Sequence, residues 1–128
     1  MTPDAFPVRV FYEDTDMGGI VYHANYLRFI ERARSDWVAG LGLDQMALRA
    51  AGLIFVVHRV EADFVAAARF DDRLLVRTAL ASCTGVRMVL DQSVWRDATE
   101  LFRARVTVVC MTLDGRPQRL PAEIRALQ

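Results

Sequence analysis
The chain has 128 residues, 53% of them hydrophobic and 25% charged, which is the make-up of one folded domain with a single core. Sixteen acidic residues balance sixteen basic ones, so no bulk field draws the chain to nucleic acid or an anionic membrane. Weak charge repulsion also favours self-association. All sixteen basic residues are arginines, and without lysine both Schiff-base chemistry and a lysine-bearing phosphate loop are excluded.

In chain order, Pro3 and Pro7 favour an extended start, and Val8 to Tyr12 reads as a short strand. Next come three carboxylates, Glu13, Asp14 and Asp16, then the pair Gly18-Gly19, then Tyr22, His23 and Asn25. A helix is expected from Ala24 or Asn25 to about Val38. Its apolar face is Tyr26, Phe29, Ile30, Ala33 and Trp37, with Arg28, Arg32 and Ser35 opposite and Gly40 and Gly42 beyond its end. Asp44 caps a short second helix that runs to Ala51 and stops at Gly52. The period then changes to two. Strands are expected over Leu53–Phe64, Arg73–Cys83, Val86–Trp95 and Leu101–Thr112, with turns at Asp71-Asp72, Thr84-Gly85, Asp97-Ala98 and Asp114-Gly115. In the last strand Phe102, Ala104, Val106, Val108 and Cys110 point one way, and Arg103, Arg105 and Thr107 the other. The tail, with Pro117 and Pro121, reads as coil or a short turn.

Four consecutive strands after a helix cannot be a βαβ series. They form an antiparallel sheet with one face on the helix. The expectation is α+β: residues 1–128 as a single hotdog domain, a five-stranded antiparallel sheet wrapped around one long central helix. Cys83 and Cys110 lie in apolar runs without metal or disulfide spacing and read as small buried hydrophobes. The N-terminal MTPDAFPVRV has no basic segment leading into an apolar core, so no signal peptide is expected, and no run is long enough to span a bilayer. A cytoplasmic protein is expected.

The chemistry belongs at residues 11–34, where carboxylates, glycines and a histidine meet a helix start. Such a start presents unpaired N–H groups and partial positive charge, suited to polarising a carbonyl. Asp14-x-Asp16 opens like a calcium loop, but the later ligand positions hold Gly18 and Asn25, so no metal is expected. Asp14 reads best as a turn cap, whereas Asp16 adjoins both the glycines and the helix. His23 is either a structural helix-start residue or part of the site. His58 stands alone in a strand, and Glu31 has Arg28, Arg34 and Ser35 as helical neighbours. No serine has a nucleophile-elbow context.

From Tyr12 to Tyr26, YEDTDMGGIVYHANY, the sequence closely resembles the 4-hydroxybenzoyl-CoA thioesterase family of hotdog proteins, and within it the YbgC-type acyl-CoA thioesterases linked to the bacterial Tol–Pal envelope system. The specific match spans Val8 to Trp37, including Glu31-Arg32-Ala33-Arg34; the rest agrees in length and strand pattern. The resemblance implies hydrolysis of acyl-CoA thioesters without metal or organic cofactor. It implies Asp16 as the catalytic carboxylate, with Tyr12 and His23 as the other active-site side chains. It further implies a homodimer with the site between subunits, commonly doubled to a tetramer.

The residues fit that chemistry independently. A thiol of pKa about 8.5 leaves readily, so no strong acid is required. A carboxylate at Asp16 can attack the carbonyl or deprotonate water, and the N–H groups near His23 and Ala24 can hold the oxyanion. Gly18 and Gly19 permit close approach of the substrate, and Arg87, beside the Thr84-Gly85 turn, is a candidate phosphate contact. The substrate is an acyl-CoA or an acyl-carrier protein. Competing readings are a hotdog hydratase or dehydratase, and a non-catalytic acyl-binding or scaffold protein with cell-envelope partners. The intact Tyr12, Asp16 and His23 set argues for the thioesterase.

Overall fold
A computed structural model describes residues 5–128; Pro3, expected to extend the chain start, lies outside them. The order is β1 (Ala5–Arg9), a 3-10 turn (Tyr12–Asp14), α1 (Asn25–Gly40), α2 (Gln45–Ala50), β2 (Leu53–Phe64), β3 (Arg73–Cys83), β4 (Arg87–Arg96), β5 (Thr99–Thr112) and α3 (Ala122–Arg125). The strands form one antiparallel sheet in the order β1-β3-β4-β5-β2. With α1 laid across it, this is the hotdog architecture expected from the element order.

β2 and β3 have the expected bounds, because the patterning and the breakers Gly52, Asp71-Asp72 and Thr84-Gly85 mark them locally. The first strand differs. Rather than running from Val8 to Tyr12, it covers Ala5–Arg9 and gives way to the 3-10 turn. The cause is Asp14, whose carboxylate accepts the Phe11 N–H at 2.8 Å while its own N–H bonds Phe11 O at 3.0 Å. That exchange offers the backbone an alternative to a sheet ladder. Pro7, without an N–H, is tolerated because β1 lies at a sheet edge.

α1 packs over β1, β3 and β4, burying Tyr26, Phe29, Ile30, Ala33 and Val38. Trp37, expected on this face, packs only at its rim, and Val38 takes the deeper place. Ala24, the residue before α1, supplies no side-chain cap. A missing cap costs ~1 kcal/mol, whereas burying Phe29 and Ile30 contributes about 2 kcal/mol each. The helix therefore holds without a side-chain cap at its start. Beneath α1 sits one buried polar lock: Gln92 Nε2 donates to Ile30 O (2.8 Å) and Thr78 Oγ1 (3.0 Å), and Gln92 Oε1 accepts from Arg34 Nη1 (2.9 Å).

β2 is the other edge, touched by α1 chiefly through Tyr26 on Phe64, and none of its residues is buried. Val57, Val60 and Phe64 are exposed along it, an apolar strip beside an open row of backbone donors and acceptors.

Candidate active site
The site is built on a small turn. Thr15 and Val21 pair as an antiparallel bridge, Asp16 N–H donates to Ile20 O at 3.0 Å, and Gly19 N–H donates to Asp16 O at 3.0 Å. Within it, Gly18 N–H donates to Asp16 Oδ1 at 2.8 Å, which fixes the carboxylate over the turn. The two glycines serve different needs. A Cβ on Gly18 would stand 3.1 Å from Asp16 Oδ1, whereas Gly19 has φ +76°, an angle other residues rarely adopt.

The turn is tied to the helix start from one side. Asp14 O accepts both the Tyr22 N–H (2.9 Å) and Asn25 Nδ2 (3.1 Å), and Asn25 N–H bonds Tyr22 O (2.8 Å). Asp14 is thus the turn cap expected of it, and Asn25 is a tie that the sequence pattern did not single out. Among the described residues, the N–H groups of His23 and Ala24 find no acceptor. Two open donors at the head of a 16-residue helix make a ready seat for an oxyanion.

His23 is exposed, its ring 4.6 Å from that of Tyr22 and 6.1 Å from that of Phe64 at the end of β2. Phe64 also packs edge-on to Tyr26 and Phe102, so an aromatic cluster runs from the core out to His23. Nothing in the local sequence pairs Phe64 with His23; the register of β2 on β5 does. Tyr12 lies in the 3-10 turn, 82% exposed. Among the described residues, Tyr12, Asp16 and His23 make no hydrogen bond to one another: the subunit gathers them along one segment with their side chains open.

Arg87 is not brought to this site within the subunit. It begins β4, whereas the site connects to the far end of that strand through Arg96. Nine residues at about 3.3 Å each separate the two by roughly 30 Å. Glu31 lies further along α1, at the rim of a cavity of about 240 Å³ with Arg34 and Ser35, over Phe55, Val57 and Met88. A larger depression of about 680 Å³ lies on the outer face of the sheet, but its charges are largely paired there, as in Arg105–Asp91 and Arg103–Glu100.

The geometry predicts a separation between the glycines. Gly18→Ala should lower kcat ~10-fold or more by displacing the Asp16 carboxylate, with little change in Tm. Gly19→Ala should instead cost about 1 kcal/mol of stability through its backbone angle. Steady-state kinetics and melting curves on the two variants check this; equal effects on both readouts would rule it out.

A sequence model described as the thioesterase-like superfamily matches residues 10–127. The acyl-CoA thioesterase YbgC of Haemophilus influenzae is 41% identical over 124 residues, which is 95% of this chain and 91% of that protein. The acyl-CoA thioester hydrolase YbgC of Escherichia coli O6:H1 is 42% identical over 123 residues, 94% of this chain and 92% of that protein. Among solved structures, a 1,4-dihydroxy-2-naphthoyl-CoA thioesterase from Synechocystis superposes with a TM-score of 0.88 at 25% identity, covering 95% of this chain and 92% of that one. The family match takes in the Asp16 turn, the open start of α1 and every strand from β2 to β5, and the chain belongs to the thioesterase-like superfamily.

Proposed function
We propose that this protein is an acyl-CoA thioesterase in which Asp16 and the start of α1 act together on the thioester carbonyl. The observation that carries the reading is the Asp16 carboxylate, held by Gly18 N–H in a turn that runs directly into a helix start with two unengaged donors. Water and thioester yield a free acid and CoA thiol. The Asp16 carboxylate either attacks the carbonyl, expelling thiolate and leaving a mixed anhydride for water to open, or takes a proton from the attacking water. In both routes the carbonyl oxygen gains charge that the His23 and Ala24 N–H groups stabilise. His23, beside them, protonates the departing sulfur or balances charge, and Tyr12 orients the carboxylate or the water. A single turnover in ¹⁸O-labelled water tests direct attack: label in the Asp16 carboxylate establishes it, since water activation and opening of the anhydride at the acyl carbonyl both put the label in the product acid instead.

The closing experiment is a panel of acyl-CoA and acyl-carrier-protein thioesters followed by free thiol release. Hydrolysis of at least one class is expected; no release from any would overturn the reading. No helix among the described residues is long and apolar enough to cross a membrane. An acyl-CoA substrate places the reaction in the cytoplasm.

The same reading includes a homodimer joined through the β2 edge, and its doubling to a tetramer. Pairing two β2 strands would engage an open edge and cover Val57, Val60 and Phe64, exposed in the single subunit. It would also bring a second chain beside Phe64 and His23. Sedimentation equilibrium at micromolar concentration should give two or four times the chain mass; a monomer would overturn this assembly.

A further inference from the structure
The Asp16 turn is supported from its far side by residues 65–72, the connection between β2 and β3. Val21 N–H donates to Ala68 O at 2.8 Å, and Ile20 bridges to Arg69. Ile20 O is also the acceptor for the Asp16 N–H. The support for the carboxylate therefore passes through Ile20 and Val21 to Ala68 and Arg69.

That connection is anchored at both ends: on the β3 side Asp71 N–H donates to Val10 O (2.9 Å), Val10 N–H donates to Asp72 O (3.0 Å), and Arg9 pairs with Asp71. Val65 and Ala66 N–H both reach Leu101 O, at 2.8 and 3.0 Å, and Ala68 N–H donates to the buried Tyr26 hydroxyl at 3.0 Å. The rest is polar. Asp72 Oδ2 accepts the Arg69 N–H and Arg96 Nη1, each at 2.8 Å, and the same Arg96 nitrogen donates to Ala67 O at 3.3 Å. Arg96 is the last residue of β4 and is held by its pairing to Thr99 in β5. One guanidinium thus ties Ala67 and Asp72, the two flanks of the Ala68–Arg69 segment, to the rigid sheet. With side chains 35% and 22% exposed, this is the most sheltered ion pair among the described residues. Burial pushes the Asp72 carboxyl up, but the Arg69 N–H and Arg96 outweigh it and hold it below the usual carboxylate range. The stability it adds is present at neutral pH and is lost as pH falls through that lowered value.

We propose that Asp72 and Arg96 are positioning residues for the reaction, setting where the Asp16 carboxylate stands relative to the donors at the start of α1. The proposal rests on the reading that those two features act on the thioester. Neither side chain needs to touch substrate. Without the pair, Ala67 O loses its partner and Asp72 its hold on the sheet. Ala68–Arg69, still bonded through Tyr26 and flanked by the Val10 bonds, then loses the restraint that sets its position beneath Ile20 and Val21. A displacement of about 1 Å at a reacting group can cost as much as ~100-fold in rate.

The test compares Asp72→Asn, Arg96→Gln, their double variant and Arg96→Lys. Asp91→Asn serves as control, since it removes a carboxylate from an ion pair on the outer sheet face. All are assayed well below their melting temperatures on the thioester hydrolysed best. Arg96→Gln should lower kcat at least ~10-fold with KM within about twofold. Asp72→Asn, whose amide oxygen can still accept the Arg69 N–H, should lose less but in the same direction. The double variant should be no worse than the poorer single, because both weaken one clamp. Arg96→Lys, which keeps the charge but not the fork, should fall between Arg96→Gln and wild type. Asp91→Asn should match wild type. Unchanged kcat, a rise in KM alone, or a loss proportional to the unfolded fraction would each overturn the proposal. If Asp72→Asn does not fold, the Arg96 pair carries the test, because Asp72 then keeps its Arg69 N–H bond. Asp16→Asn run alongside separates the two failures: if it is inactive while the clamp variants are normal, only the clamp is wrong, whereas normal turnover by Asp16→Asn removes the reading beneath both.

Discussion

Asp16→Asn is expected to lose at least ~100-fold in kcat with folding intact, on the scale of positioned acid–base groups. The structure says why folding should survive. Asp16 is exposed, and the contact its side chain makes within the turn is as acceptor for the Gly18 N–H. An asparagine oxygen can accept that bond in the same place. What disappears is the negative charge, which both direct attack and water activation require. His23→Ala should lose at least ~10-fold, a bound set below the usual acid–base range because its backbone N–H remains. Kinetics with melting curves on the same preparations check both. Near-wild-type turnover by Asp16→Asn would move the catalytic role elsewhere. Glu31 would be examined first, since Glu31→Gln is otherwise expected to affect stability or assembly more than turnover.

Gln92→Leu should be the most damaging of the near-isosteric core changes, with a loss of about 3 kcal/mol and a fall in Tm of roughly 10 °C. Gln92 is 1% exposed and satisfies three groups at once: the Ile30 carbonyl, the Thr78 hydroxyl and the Arg34 guanidinium. Leucine fills the space but leaves a sheltered cation with no acceptor in the sheet. Burial already lowers the Arg34 pKa, which Glu31 on the same helix face partly offsets. Removing one partner of such a pair costs more than the pair itself contributes. Arg34→Met in the same chain should therefore restore part of the loss, because the stranded charge goes with it while Ile30 O and the Thr78 hydroxyl still lack Gln92. Denaturant or thermal unfolding of the two variants decides this; additive losses would show that Arg34 and Gln92 are not coupled.

Where the sequence read well, the information was local. β2 and β3 lie between local breakers, Gly52, Asp71-Asp72 and Thr84-Gly85, and α2 follows Asp44, whose side chain accepts from Met46 and Ala47 N–H. The family resemblance rested on a continuous segment, residues 12–26, and the matched family model covers that segment and nearly all of the remaining chain. The misreadings also have a physical pattern. Apolar residues at Phe11 and Tyr12 suggested a longer first strand, but a side-chain bond from Asp14 bent the chain away. Trp37 fits the helical spacing better than Val38 does, yet Val38 is the one buried in the core while Trp37 packs against its rim. Arg87 is a different case: the antiparallel run of β4 carries it to the end of the strand away from Arg96 and the Asp16 turn of the same subunit, a placement that no local pattern gives.

By itself the sequence determined most of the elements and the proposed seat of the chemistry, since carboxylate, glycine pair, histidine and helix start follow one another along one short segment and interact through nearby backbone groups. Only the tertiary structure decided what holds that seat in place. The Arg96–Asp72 clamp joins residues 24 apart in the chain, the Tyr26 bond to Ala68 joins residues 42 apart, and the Gln92 lock reaches 62 positions to Ile30. Such partners meet because the strand order β1-β3-β4-β5-β2 places β4 beneath α1 and the β2–β3 connection under the Asp16 turn. Hydrogen bonds between groups so distant in sequence leave no periodic trace, because each needs one donor and one acceptor at a single position rather than a repeating face.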